Sequence, residues 1–181
     1  VVPLCGINRA FVTQGLNIMA RRGNLGLRAI GDVAGLTGPA TARDLGFAIG
    51  PRINAGGRVG EADLGARLLA TDDPEEARRL ALRLDALNRE RQAIERSVLN
   101  AALSQLVGDP ANGPLLMAVG DGWHVGVIGI VASRLVDRFQ RPAVVVGLNG
   151  AQAVGSGRSL PGLDLGSAVN AAAQAGLVIK G

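Results

Sequence analysis

The sequence has few of the residue types that build disulfide, zinc and aromatic sites. Its 181 residues include one cysteine, one histidine, one tryptophan and no tyrosine. The single cysteine, Cys5, excludes an internal disulfide framework, and nothing in the sequence resembles a ligand cluster for zinc. No apolar run approaches the roughly 20 residues that span a bilayer, and no charged-then-apolar leader opens the chain. We therefore expect a cytoplasmic protein with no membrane partner and, because it begins with Val1 rather than methionine, an internal piece of a longer chain.

Arginine is abundant by contrast, since it accounts for 18 of the 19 positive residues in a chain of net charge +4. Residues 1–60 carry seven arginines against two aspartates, residues 61–110 seven arginines against ten carboxylates, and residues 111–181 five basic groups against three acids. Two basic ends flank an acidic middle, which is compatible with a phosphate-binding cleft between two lobes. Ordinary solvated surface charge would produce the same pattern.

The acidic middle predicts one long helix. The run from Thr71 to Glu76 is typical of a helix start, with Asp73 as the N-cap, Pro74 at the first helical position and Glu76 completing a capping box. A stripe at alternating spacings of four and three then runs for more than seven turns. Its members are Leu80, Leu84, Leu87, Arg91, Ile94, Val98, Ala101 and Gln105. A helix of this length is typical of a connection between domains.

Residues 1–60 predict helices at 8–20 and 25–34, followed by a glycine-rich segment at 45–60. Five glycines and a proline in these sixteen residues do not favour a stable helix interior. They give a backbone that can approach a ligand closely, while Arg52 and Arg58 supply anion-binding guanidinium groups and Asn54 a bifunctional amide. A glycine-rich turn with solvated arginines is the alternative interpretation.

The last third of the chain predicts a small α/β unit. The expected elements are a strand at 115–119, a helix at 125–139, a buried strand at 143–148, a returning antiparallel strand at 151–155 after the Asn149-Gly150 turn, and a helix at 164–175 capped by Asp164. The rare pair Trp123-His124 lies at the first strand-to-helix junction, where α/β proteins present polar groups to a ligand.

The run Gly-Ser-Gly-Arg-Ser at Gly155–Ser159 has a physical rationale for phosphate binding. Its glycines expose backbone N–H groups, Ser156 offers a hydroxyl, and the Arg158 guanidinium can bind two oxygens at once. A polar turn is the alternative interpretation of so short a motif. We expect the returning hairpin to place Ser156 and Arg158 near the end of the sheet that holds the Trp123-His124 turn.

Four ordered runs carry a resemblance to a known family. They are GPRINAGGRVGEA, LDALNRERQAIE, GDGWHVGVIGIVASRLVDRFQRPAVVV and GSGRS, and the resemblance covers almost the whole chain, from about Val2 to Gly181. Together they resemble the RecJ family of single-strand-specific 5′-to-3′ exonucleases, in the DHH phosphoesterase superfamily. The resemblance implies an α/β fold in three parts: the tail of an α/β metal domain (1–60), connecting helices (61–110), and a DHH-associated substrate-binding domain with a mixed sheet (111–181).

The resemblance also implies what this chain does not contain. The family hydrolyses phosphodiesters with two divalent ions, Mn²⁺ or Mg²⁺, held by Asp and His motifs that would lie upstream of Val1. We therefore expect no metal ligands in this chain and no activity from it alone. The family's Gly-Gly-His motif would follow Gly181.

The resemblance assigns roles by position. Ser156, Gly157 and Arg158 would bind the terminal 5′-phosphate or an adjacent phosphate. Arg52, Asn54 and Arg58 would contact the strand backbone. His124 would support catalysis by donating to a phosphate oxygen, and Trp123 would serve packing.

Single-stranded DNA is the implied partner, with a single-strand-binding protein and a helicase as further partners near the bacterial nucleoid. Three alternatives remain open. The parent could be a phosphodiesterase of the same superfamily that acts on short oligonucleotides or cyclic dinucleotides. It could also be a catalytically inactive scaffold that binds DNA. Finally, the chain could fold as a DNA-binding module by itself.

Overall fold

The computed structural model describes residues 3–108 and 113–179, and the chain forms two compact units, Val1–Gln92 and Ala93–Gly181. The elements of the first part are α1 (Gly6–Ala20), α2 (Leu25–Val33), α3 (Ala42–Asp44), a π-helical turn (Leu45–Ile49), α4 (Gly50–Val59) and α5 (Leu64–Ala70). Those that follow are α6 (Pro74–Gly108), β1 (Leu116–Asp121), α7 (Val125–Phe139), β2 (Ala143–Asn149), β3 (Gln152–Arg158) and α8 (Leu165–Gln174). The predicted fold class, a long helix ahead of a small mixed sheet, is confirmed. In the described residues, no helix is both long and apolar enough to cross a membrane.

The first unit folds around apolar side chains from α2, the π turn, α5 and the first half of α6. Its largest fully buried residues are Ile30, Ile49, Leu68, Leu80, Leu84 and Leu87. Burial of each such side chain contributes about 1.5–3 kcal/mol relative to leaving it in water. Helices α2 and α5 touch at Gly26, where any Cβ atom would overlap the Leu68 carbonyl group. Close backbone contact at this glycine therefore closes the core.

Helix α6 begins where the sequence predicts, but the predicted capping box is wrong. Asp73 acts as the cap by accepting the Glu75 N–H at 3.0 Å. The Glu76 carboxylate accepts instead from Thr71 Oγ1 at 2.9 Å and from Arg67 at 3.2 Å. These hydrogen bonds, the threonine's first, hold the pKa of Glu76 below its usual range. Thr71 and Arg67 thus bind the Glu76 carboxylate that a capping box would use to accept the Asp73 N–H.

The predicted stripe of α6 is confirmed in its first half and wrong near its end. The leucines of the first half are buried, and so is Val98. Beyond it, Ala101 and Gln105 are exposed, while Ala102 and Leu106 are buried in their place. A seven-residue repeat drifts by about 20° per repeat around a straight helix of 3.6 residues per turn. The buried face has therefore moved on by one residue after three repeats.

Buried charge on α6 is a feature that the apolar pattern does not predict. Asp85 is 3% exposed and accepts the Arg52 Nε–H at 2.8 Å. Arg89, one turn further along α6, also pairs with Asp85 but is 77% exposed itself. Charges four residues apart on a helix usually pair at its solvent-exposed face, whereas here the carboxylate is buried. The buried carboxylate joins α4 to α6.

The glycine-rich segment at 45–60 is helical, which contradicts the expectation that its glycines prevent a helix. Tertiary contacts override the weak local propensity. Ala55 and Gly56 are buried, and a Cβ atom on Gly56 would lie 2.6 Å from the Glu61 carbonyl oxygen. Gly60 likewise leaves room for Leu87, whose Cδ1 would lie 2.8 Å from a Cβ at that position. The glycines here serve close helix packing rather than flexibility.

The second unit contains a three-stranded sheet in the order β1-β2-β3. The β1 and β2 strands are parallel, with α7 as the crossover, and β2 and β3 form an antiparallel hairpin. One face of the sheet packs on α7 through Leu116, Ala118, Ala143 and Val145, all at most 2% exposed. The predicted strands, α7, the hairpin and the Asp164 cap of α8 are confirmed, although β1 continues to Asp121 and β3 to Arg158.

A side chain of α6 forms hydrogen bonds to the backbone of β1, on the edge of this strand that does not pair with β2. Gln105 donates its amide N–H to the Val119 carbonyl at 2.7 Å and accepts the Val119 N–H at 3.1 Å. A single amide thus provides both hydrogen bonds that a neighbouring strand would give to this residue. Gln105 is exposed yet fixes α6 against the sheet.

Candidate phosphate-binding site

The Gly155–Ser159 motif lies mainly within a strand, since β3 continues to Arg158, so the alternative interpretation as a polar turn is wrong. Register pairs Ser156 with Val145 and Arg158 with Ala143. Both partners belong to the face that packs on α7, and side chains of paired residues share a face. The serine and the arginine therefore project from β3 toward α7.

Gly129 of α7 is the residue over which these two side chains meet. A Cβ atom on Gly129 would lie 2.9 Å from Ser156 Oγ and 3.0 Å from an Arg158 guanidinium nitrogen. The Arg158 guanidinium also donates to Ser156 Oγ at 3.2 Å and to the Gly157 carbonyl at 2.7 Å. One hydroxyl and one cationic fork are thus held together on a helix surface that has no side chain. Sequence reasoning missed Gly129, whose only signal is a glycine within an apolar helix.

Gly157 is explained by packing. A Cβ atom at this position would lie 2.7 Å from Leu165 Cδ2, at the start of α8. Asp164 caps α8 by accepting the Ser167 N–H at 3.0 Å and its hydroxyl at 2.6 Å. Those bonds hold the pKa of the Asp164 carboxyl below its usual value. The contact of Gly157 with α8 fixes the far side of the strand that carries Ser156 and Arg158.

Trp123 packs against the sheet. A Cβ atom on Gly120 would overlap the Trp123 indole, and one on Gly147 would overlap the Trp123 backbone carbonyl. These two glycines are register partners on β1 and β2. Trp123 therefore lies over two residues that have no side chain, with its indole over Gly120 and its backbone over Gly147.

His124 is the N-cap residue of α7. Its Nδ1 accepts the Gly126 N–H at 3.0 Å, and the ring is exposed. In the neutral imidazole this assignment places the proton on Nε2, which can then donate to a ligand. His124 precedes Gly129 by five residues, about 7.5 Å of rise along a helix.

The predicted meeting of the two motifs at one end of the sheet is wrong. The Trp123-His124 turn follows Asp121, which pairs with Leu148 near the end of β2. Arg158 pairs with Ala143, at the beginning of β2. An antiparallel hairpin returns its second strand to the opposite end, so β3 moves away from the turn as it approaches the motif. The two motifs are linked instead by α7, which has His124 at its start and Gly129 in contact with Ser156.

The three candidate residues of the first unit differ in their surroundings. The Arg52 side chain is 20% exposed, and its guanidinium is bonded to Asp85 and to the Ala48 carbonyl. Asn54 and Arg58 are exposed and four residues apart on α4, so they share one helix face. The structure thus gives Arg52 a position inside the unit and leaves Asn54 and Arg58 on its surface.

No group of three or more His, Cys, Asp or Glu side chains that could hold a metal ion occurs at residues 3–108 or 113–179. The described residues therefore do not fit a divalent-metal centre. The chemistry that they do support is the binding of an oxyanion by the Ser156 hydroxyl and the Arg158 guanidinium.

Replacing Gly129 with alanine is expected to weaken phosphate binding while leaving the fold at least as stable. The new Cβ would displace the tips of Ser156 and Arg158, whereas alanine in a helix interior stabilises by about 0.5–1 kcal/mol over glycine. Urea denaturation and binding of a 5′-phosphorylated single strand measure the two effects. Gly15→Ala is the matched control, because a Cβ there meets nothing within 4 Å. Undiminished binding by the Gly129 variant would contradict the arrangement.

The chain is similar to known proteins over most of its length. Residues 112–177 match the family model of the DHHA1 domain. The chain is 38% identical over 168 residues to the single-stranded-DNA-specific exonuclease RecJ of Bacillus subtilis, covering 91% of this chain and 21% of that protein. It is 41% identical over 177 residues to the protein of the same name from Escherichia coli, covering 93% and 30%.

Solved structures of this kind match as well. The crystal structure of RecJ with Mg²⁺ from Thermus thermophilus has a TM-score of 0.85 at 38% identity, covering 96% of this chain and 27% of that one. A crystal structure of exonuclease RecJ bound to manganese has a TM-score of 0.78 at 37% identity, covering 94% and 42%. The chain spans less than a third of the length of these curated relatives. The chain thus carries a DHHA1 domain and corresponds over most of its length to part of the RecJ exonucleases, which confirms the resemblance seen in the sequence.

Proposed function

We propose that this chain is part of a metal-dependent exonuclease that degrades single-stranded DNA from its 5′ end, and that its second unit binds the terminal or an adjacent phosphate. The observation that carries the proposal is the meeting of Ser156 and Arg158 over Gly129. The names of the relatives, single-stranded-DNA-specific exonucleases, support the substrate class.

The binding chemistry follows from the donors. A planar guanidinium presents paired N–H groups that match two oxygens of a phosphate, and a hydroxyl can donate to the third. The fork of Arg158 is held beside Ser156 by an existing contact, so little side-chain freedom is lost on binding. A strand held by its terminal phosphate would present the next phosphodiester for hydrolysis. His124 Nε2 would add a further donor.

The first unit would contribute contacts to the DNA backbone that do not depend on the 5′ end of the strand. Asn54 and Arg58 would bind the sugar-phosphate backbone from the exposed face of α4. Arg52 would act differently from the other two, because its ion pair with Asp85 positions α4 on α6. Contacts of this kind fix the register of a strand and depend on salt.

Divalent metal would come to the active centre from outside the described residues. The solved relatives contain Mg²⁺ in one case and Mn²⁺ in another, and we propose one of these ions for the whole protein. When bound, such an ion supplies hydroxide for attack on phosphorus. The 181-residue chain by itself would bind DNA and cleave none.

The domain organisation and the surroundings of the protein belong to the same proposal. Residues 1–60 would complete a metal domain, 61–110 connect it, and 111–181 bind substrate. A single-strand-binding protein and a helicase that exposes ends would be partners, in the cytoplasm beside the nucleoid. An inactive scaffold relative would keep the strand contacts and lack cleavage, which assays of the longer protein with Mn²⁺ would reveal.

Fluorescence anisotropy with single strands that differ only in a 5′-phosphate or a 5′-hydroxyl tests the phosphate site. Hydrogen bonds to a charged group contribute about 1.5–3 kcal/mol each, which corresponds to about tenfold or more in affinity. We expect the 5′-phosphorylated strand to bind tighter by at least that factor. A strand phosphorylated at its 3′ end is the control for added charge. Equal affinity for the 5′-phosphate and 5′-hydroxyl strands would refute a terminal-phosphate pocket.

A further inference from the structure

Phe47 is an exposed aromatic side chain with an arginine over its ring. The chain has three phenylalanines. Phe47 is 77% exposed, and the guanidinium carbon of Arg43 lies 5.3 Å from its ring centroid. Phe139 also has a neighbouring arginine, at 5.6 Å, but is only 36% exposed. Phe47 thus combines an accessible ring with a cation.

The exposure of Phe47 follows from the π turn at Leu45–Ile49. The Gly50 N–H bonds to the Leu45 carbonyl, five residues back, and a Cβ on Gly50 would lie 2.6 Å from that oxygen. Pro51 has no N–H to donate to the carbonyl of Phe47, so the normal helical bond is absent there. The wider turn places Ile49 in the core at 2% exposure and Phe47 outside. Single π turns of this kind recur at functional sites.

Polar groups suited to a nucleic-acid strand follow Phe47 along the same helical run. Asn54 and Arg58 come seven and eleven residues later, share one face of α4 and are both exposed. Arg43 is fixed at the preceding turn, because the Thr41–Asp44 capping box sets the start of α3. Aromatic rings interleaved with cations are the arrangement on which single strands stack their bases. A protein-docking surface would need further apolar neighbours on this face, which has a proline, an asparagine and an arginine instead.

We propose that Phe47, with Arg43 beside it, is a stacking surface for one base of the bound single strand. The inference rests on the proposed function, since it takes single-stranded DNA as the ligand. Arg43 and Arg58 would contact phosphates on either side, and the ring would contact the base between them. Stacking of this kind is tolerant of sequence, because every base has a flat face.

Binding of a short thymidine strand and of an abasic strand of the same length tests the proposal, with anisotropy as the readout. Phe47→Ala should weaken binding of the thymidine strand by between about fivefold and a hundredfold, the range for loss of one stacked base. It should change binding of the abasic strand by less than about twofold, roughly the reproducibility of such measurements. Phe47→Leu should behave like Phe47→Ala, because leucine is apolar but has no flat face. Phe11→Ala is the matched control, at 70% exposure in α1, and should affect neither strand.

The outcomes separate this inference from the proposed function. If the wild-type chain binds neither strand, both the inference and the proposed function are wrong. If it binds both but Phe47→Ala leaves the thymidine strand unaffected, the stacking role alone is wrong. Equal losses for the thymidine and abasic strands, or wild-type affinity in Phe47→Leu, would also overturn stacking and indicate a general apolar contact.

Discussion

Replacing Asp85 with alanine is expected to destabilise the first unit by about 3 kcal/mol or more. Removing one partner of a buried ion pair costs about 3–5 kcal/mol, because the remaining charge has no counter-charge. Here the remaining charge is the guanidinium of Arg52, whose side chain is 20% exposed and which keeps one bond to the Ala48 carbonyl. We therefore expect the lower end of that range. Urea denaturation followed by circular dichroism would measure it, since the first unit is largely helical.

Arg89→Ala is the matched control for the Asp85 variant. Arg89 bonds to the same carboxylate but is 77% exposed, and exposed pairs contribute at most about 1 kcal/mol. A loss below about 1 kcal/mol in the Asp85 variant, or equal losses in both variants, would contradict the role given to the buried pair. The Trp123 fluorescence should change little in either variant, because that side chain lies in the second unit.

Replacing Arg158 with alanine is expected to lower kcat/KM of the proposed parent exonuclease by about a hundredfold or more. Binding of the terminal phosphate positions the next phosphodiester for attack, and a misplacement of about 1 Å at the reacting centre costs about 10²-fold. The fold should be unaffected, since Arg158 is exposed and bonds only to a hydroxyl and to its neighbour's carbonyl. Cleavage of a 5′-phosphorylated single strand under steady-state conditions provides the measurement.

Two further variants distinguish the guanidinium fork of Arg158 from its charge. Arg158→Lys keeps the charge but loses the paired donors, so we expect it to recover little activity. Arg138→Ala removes a different exposed arginine of the second unit and should leave turnover within about twofold, because an exposed surface charge contributes little. Unchanged turnover in Arg158→Ala would contradict the phosphate-binding role proposed for Arg158.

Local signals in the sequence were sufficient for most elements. The bounds of α7 agree with the prediction at both ends, and Asn149-Gly150 identified the hairpin with Gly150 at a φ of +57°. These features depend on residues near in sequence, such as caps and turn glycines, so a single chain reveals them. The resemblance supplied the family, which composition and periodicity alone did not.

Features that depend on distant residues were not predictable. Glycines at 45–60 were interpreted as helix breakers, whereas Gly56 and Gly60 leave room for a carbonyl and for Leu87. Asp85 is buried because Arg52, 33 residues earlier, is its partner. Gly129 is recognisable as part of the site only when β3 is placed on α7. In each case a contact between residues distant in sequence determines the structure, and local propensity does not predict such a contact.

The central claim is that Arg158, held with Ser156 over Gly129, binds the phosphate at the 5′ end of a single strand. Affinities of the wild type and of Arg158→Ala for 5′-phosphorylated and 5′-hydroxyl strands test it most directly, because the four values isolate the coupling between one side chain and one phosphate. We expect the wild type to prefer the phosphorylated strand by about tenfold or more and the variant to bind both strands equally. A variant that keeps the full preference would show that the phosphate is bound elsewhere.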